Sequence, residues 1–258
     1  MSRIGKAFEK EKAFIAFITG GDPDMETSYE LIKAMAANGA DIIEIGIPFS
    51  DPIAEGPVIQ EASLRALNAG TTTDSLFDMV ARLRKEIDIP LIFMTYINPI
   101  YVYGTERFMK RCAEVGIDGV IVPDVPFEEK AELAGFCREN GVDLISMIAP
   151  TSKERIEMIA REAEGFIYCV SSLGVTGVRS EIKTDIKTMV KHVKAVTNVP
   201  CAVGFGIATP EQAKKMAGLS DGAIVGSAIV KLVAKYGRDA EPYVADYVRS
   251  MKAGVMEA

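Results

Sequence analysis

Residues Asn38 to Pro57 read NGADIIEIGIPFSDPIAEGP, and the fold can be worked out from them. An apolar run with three- and four-residue spacing, Met25–Asn38, ends at Gly39, as a helix C-terminus does. A short polar turn then enters an Ile-rich segment that Pro48 stops. Period-2 alternation puts Ile43, Ile45 and Ile47 on one face of this strand and Ile42, Glu44 and Gly46 on the other. The all-Ile face suits helices packed outside a sheet, so Glu44 turns to the opposite, inner side.

The same helix-to-strand grammar returns at Val115–Asp118 (VGID) and Asn140–Asp143 (NGVD). Read outward from there, eight strands are predicted: Phe14–Thr19, Asp41–Ile47, Pro90–Met94, Gly119–Val122, Asp143–Ile148, Phe166–Val170, Cys201–Phe205 and Gly222–Val225. Helical periodicity fills the intervals at Met25–Asn38, Thr105–Val115, Glu128–Asn140, Ser152–Ala163, Ile182–Val196 and Pro210–Ala217, with Ala228–Tyr247 extending the last. The connection after the second strand has room for two helices, Val58–Asn68 and Asp74–Ile87. Eight strands each followed by a helix close into a (β/α)8 TIM barrel with an extra helix after strand two. No Ser/Gly/Pro-rich linker interrupts the pattern, so residues 1–258 form a single barrel domain. An open doubly wound sheet is the alternative, and its early G-x-G-x-x-G signature is missing.

Composition narrows the chemistry. A net charge of −7 without a Lys/Arg block argues against nucleic acid as a partner. The apolar runs are shorter than a bilayer span, the first twelve residues lack a secretory pattern, and four scattered cysteines without a C-x-x-C pair read as reduced thiols of a cytoplasmic protein. The single histidine, His192, lies on a helix as an exposed residue, so acid/base work falls to carboxylates, with no metal site indicated.

Function in such a barrel belongs to the C-terminal strand ends. Glu44, poorly hydrated there, gains a raised pKa and becomes a proton donor near neutral pH. The loop above it offers Asp51 and Glu55 as candidates for a second carboxylate. Glycine-rich strand ends at Gly204–Glu211 and Gly226–Ser227 suit phosphate held by backbone N–H groups, with Thr209 as an N-cap and Pro210 at the first helical position. Ser171–Arg179, with Gly174 and Gly177, fits a closing lid. Phe17, Met94, Tyr96, Ile121, Met147, Tyr168 and Phe205 all fall at strand ends, where they line a pocket or simply fill the core.

The segment IEIGIPFSDPIAEGPVIQ, together with GDP at 21–23, PDVP at 123–126, YCVSSLGVTGVR at 168–179, GFGI at 204–207 and VGSAIV at 225–230, resembles the tryptophan synthase α-subunit family along essentially the whole chain. That resemblance implies cleavage of indole-3-glycerol phosphate to indole and glyceraldehyde 3-phosphate, a retro-aldol reaction without a cofactor in this chain. It implies Glu44 as the acid/base group and Glu55 as the second acid, although the family pattern has Asp at that place. It further implies phosphate contacts from Gly177, Gly206, Gly226 and Ser227, a lid residue in Thr176, and substrate contacts from Phe17, Tyr168 and Phe205. The implied partner is a pyridoxal-phosphate β subunit in an α2β2 complex, with Asp51 carrying signals between subunits. Two other readings share these motifs: a free-standing lyase releasing indole, and a weakly catalytic sugar-phosphate-binding barrel acting as a regulatory subunit. A ketose-isomerising barrel would share the glycine logic but not Glu44 in its PFSDP context.

Overall fold

The computed structural model describes residues 2–9, 11–171, 185–204 and 206–258. Its strands are β1 (Ala13–Thr19), β2 (Ile42–Gly46), β3 (Leu91–Met94), β4 (Gly119–Ile121), β5 (Asp143–Leu144), β6 (Ser146–Ile148), β7 (Ile167–Val170), β8 (Cys201–Gly204) and β9 (Gly222–Val225). They form one parallel sheet in the order β5-β4-β3-β2-β1-β9-β8-β7-β6. The two ends, β5 and β6, are consecutive pieces of a single chain segment separated only by Ile145, so the ring closes into a barrel.

The predicted fifth strand, Asp143–Ile148, is thus two short ladders. Its first half pairs with β4 and its second half with β7. A tilted, staggered barrel strand overlaps its two neighbours at different heights, and a short one shows the offset as a break.

The period-2 reading of β2 holds. Ile43, Ile45 and Ile47 belong to the apolar layer shared with the helices, while Ile42 joins Ile15, Ile92, Ile121, Ile145 and Ile224 inside the barrel. Most helices follow the expected spacing, each with its amphipathic stripe on the sheet. Both helices of the β2–β3 connection are present, Pro57–Asn68 and Thr73–Leu83. Helix Ile186–Lys194 begins after the undescribed part of its predicted range, and His192 on it is half-buried rather than exposed. The expected Ala228–Tyr247 helix is two, Ser227–Tyr236 and Glu241–Met256, because Gly237 takes a left-handed φ of 56° between them.

Two short helices escape the periodicity. Ile97–Tyr103 precedes Thr105–Val115, and Arg3–Ala7 closes the barrel's N-terminal end by inserting fully buried Ile4 among the interior residues. Beside it the ring of Phe8 meets that of Phe166 at 5.9 Å. Five- and seven-residue helices bury too few side chains to show a period.

Candidate active site

The C-terminal strand ends open into a cavity of about 790 Å³. Phe17, Glu44, Glu55, Tyr168, Gly206, Gly226 and Ser227 all line it, so residues spread over more than 200 positions of sequence converge on one space. Thr176, Gly177 and Phe205 lie outside the described residues. Asp51 is exposed and lies outside the cavity wall.

Glu44 sits at the floor. It pairs in register with Phe17 of β1 and Ile92 of β3 and has no exposed surface. Neither carboxylate oxygen has a hydrogen-bond partner among the described residues. Burial therefore acts unopposed on the charged form and pushes the pKa up to about 8. Tyr168, buried across the barrel, has its phenol raised well above its usual range, first by burial and then by the charge of Glu44. A side-chain carbon at Gly204 would collide with the hydroxyl end of the Tyr168 ring, so the tyrosine packs closely against that residue. Gly46 has the same purpose on the other side: a Cβ there would stand 2.7 Å from the tip of Phe17. The space beside Gly46 is thus occupied by an aromatic ring.

Glu55 enters from the loop 47–56, which contains no regular secondary structure. It is half-buried, and burial pushes its pKa up to about 7. Two carboxyl groups with pKa values raised toward neutrality in one cavity can supply a proton and accept one in the same pH range.

The glycine-rich ends differ in what they leave open. After β8, Thr209 and Gln212 form a reciprocal capping box, and the N–H groups of Ala208 and Thr209 already donate to the Gln212 side chain. After β9, helix Ser227–Tyr236 starts from Gly226 without a side-chain cap. Gly226 and Ser227 at this helix start line the cavity, and first-turn N–H groups with the helix dipole behind them suit an anion. Gly206 lines the same end with a φ of 79°, which an L side chain adopts only with strain.

Of the other strand-end residues, Met94 and Met147 line the cavity, Ile121 is interior core, and Tyr96 lies buried under the β2 loop. The remaining wall was not singled out from sequence: it has an apolar part that includes Ala54, Ile59, Val122, Val125, Ile207 and Ile224, and a charged part with Lys130, Arg138, Arg155, Glu162 and Glu164. The apolar residues carry no signal distinguishing them from ordinary core. The buried ion pair of Asp22 with Arg65, two bonds of 2.8 Å joining the GDP turn to helix Pro57–Asn68, was likewise invisible before folding.

A partly apolar wall, a buried carboxyl without a hydrogen-bond partner among the described residues, a second carboxyl on a loop and an uncapped helix N-terminus define a (β/α)8 barrel enzyme acting on a phosphorylated substrate with an apolar body. Comparison with known proteins narrows that class. The family model for the tryptophan synthase alpha chain matches residues 5–257. The tryptophan synthase alpha chain of Lacticaseibacillus casei is 48% identical over 255 residues, covering 99% of this chain and 96% of the relative. Among solved structures, tryptophan synthase subunit alpha from Legionella pneumophila superposes with a TM-score of 0.90 at 37% identity, covering 99% of this chain and 98% of that one. A tryptophan synthase structure from Mycobacterium tuberculosis gives 0.90 at 32% identity, with 99% and 98% covered. The chain belongs to the tryptophan synthase alpha chain family, lyases that cleave indole-3-glycerol phosphate.

Proposed function

We propose that Glu44 and Glu55 divide the chemistry of this cleavage within one barrel domain spanning the chain. The observation that carries the reading is the Glu44 carboxyl, fully buried, without a hydrogen-bond partner among the described residues, and lining the cavity. Held neutral by burial, Glu44 delivers its proton to C3 of the indole ring, and positive charge develops on the ring nitrogen. Glu55, ionised, accepts from the indole N–H and stabilises that charge. The Glu44 carboxylate then takes the hydroxyl proton of the adjacent carbinol. Its O–H electrons form the aldehyde C=O, the C3–carbinol bond breaks, and that electron pair returns to the ring. Glu44 ends protonated, as it began, and no cofactor enters the cycle.

The phosphate lies against Gly206, Gly226 and Ser227, with Gly177 completing the cradle and Thr176 on the lid. Phe17, Tyr168 and Phe205 contact the ring and chain of the substrate. A tryptophan synthase β subunit carrying pyridoxal phosphate receives the indole in an α2β2 assembly in the cytoplasm. Exposed apolar side chains support such docking: Ile53 beside Asp51 on the β2 loop, and Tyr101 and Val102 on helix Ile97–Tyr103. Asp51 is the signalling residue on that face.

Steady-state indole release from indole-3-glycerol phosphate, with and without a β subunit, tests this. Wild type should turn over, accelerate with the partner, and lose about tenfold in kcat on Glu55→Asp, since withdrawing the carboxylate by roughly one C–C bond misplaces it. Absence of cleavage under either condition would remove the enzymatic reading and leave a sugar-phosphate-binding barrel.

A further inference from the structure

A carboxylate on an irregular loop is useful only if the loop is held. Two side chains grip the backbone on either side of the Glu55 side chain. The hydroxyl of Tyr96 accepts the Ala54 N–H at 2.9 Å, and the Gln60 amide donates to the Glu55 carbonyl at 2.8 Å. Tyr96 is only 3% exposed, and its ring packs against Phe49 of the same loop at 5.4 Å. It is also the residue from which helix Ile97–Tyr103 starts, and the Ile97 N–H donates to Asp124 at 3.0 Å. The loops after β4, β3 and β2 are therefore linked in series, with Glu55 at the end of the chain of contacts.

Neither Tyr96 nor Gln60 lines the cavity, so neither is placed to touch a substrate. We propose that Tyr96 is a positioning residue for the second acid: its hydroxyl fixes the Ala54–Glu55 peptide so that the Glu55 side chain enters the cavity. This rests on the reading of Glu55 as that acid. Without the acceptor the Ala54 N–H loses its partner, the loop is free to shift by about an ångström, and a shift of that order is felt strongly in rate.

Tyr96→Phe removes one oxygen and keeps the ring. Single-turnover indole release should fall about tenfold, with KM within twofold and the melting temperature nearly unchanged. Gln60→Leu, on an exposed helix position, should lower kcat in the same direction by about threefold. In a Glu55→Ala background, Tyr96→Phe should change the residual rate less than twofold, because no carboxylate is left to place. An unchanged rate in Tyr96→Phe overturns the proposal, as does an equal loss in both backgrounds, which marks a general structural role. Full activity of Glu55→Ala alone overturns the second-acid reading, and is recognised without reference to Tyr96.

Discussion

The N-terminal turns of the barrel and the Glu44 site in its cavity treat carboxylates in opposite ways. At the N-terminal end, three helix-to-strand turns use an aspartate as a staple to a neighbouring strand, whereas Asp143 of a fourth has its pKa pushed up to about 6, first by burial and then by the charges of Glu164 and Asp118. Asp41 accepts the Phe14 N–H at 2.7 Å and meets Lys252 at 2.8 Å. Asp118 accepts the Leu91 N–H at 2.9 Å and bonds both Arg84 and Arg3. Asp221 accepts the Cys201 N–H at 2.8 Å and pairs with Lys194. In the cavity, Glu44 is more deeply buried than any of these and has no hydrogen-bond partner among the described residues, nor has the hydroxyl of Thr19 one layer above. An acidic residue that is satisfied holds the fold, whereas one left unsatisfied stores free energy that a substrate can use.

The largest effect that would break this contrast is at Glu44. Glu44→Gln should lower kcat by about three orders of magnitude. It should also raise stability, and the sign follows from linkage. With a folded pKa near 8 and an unfolded value of 4.5, the native state binds the extra proton, so wild type loses stability as pH rises from 4.5 through 8. Thermal melts of the two proteins should coincide near pH 4.5, diverge in favour of Gln as pH rises toward 8, and keep a constant gap above it. A variant less stable than wild type at pH 8 would mean that Glu44 is satisfied after all.

Next in size are the N-terminal turns. Asp118→Ala leaves Arg84, nearly as buried as Asp118, with only backbone carbonyls as partners and no counter-charge there, leaves the Leu91 N–H without its acceptor, and should cost about 3 kcal/mol in urea unfolding while kcat of the folded protein stays within threefold. A kcat collapse at full stability would show that the two regions are not separable.

The pH profile sharpens the comparison further. In kcat/KM, ionisation of Glu55 near pH 7 should give the rising limb and ionisation of Glu44 near pH 8 the falling one, a narrow bell belonging to the pair. Loss of the falling limb in Glu44→Gln's residual activity identifies its owner. Smallest is Ile4→Val, which thins the apolar plug and should cost about 1 kcal/mol with kcat unchanged.

Much of this was readable before folding. The turns at Gly39, Gly116 and Gly141 take positive φ of 109°, 85° and 66°, as their place after helices required. Glu44 faces inward because alternation is strict and a one-residue slip would bury three isoleucines in the wrong layer. The glycine-rich ends after β8 and β9 both reach the cavity, but only the structure shows that Thr209 and Gln212 have already used the donors of one of them. Tyr96 shows the limit most clearly. By position it was one of seven strand-end residues, four of them aromatic, and its bond to Ala54 joins residues 42 positions apart.

Sequence alone therefore determined the βα order, the face on which Glu44 stands and the family to which its motifs belong, because these depend on backbone periodicity and neighbours close along the chain. Tertiary structure decided which polar groups find partners. Satisfaction depends on what distant strands bring within about 3 Å, and at Glu44 the neighbouring positions on β1 and β3 are held by Phe17 and Ile92, which have no hydrogen bond to give.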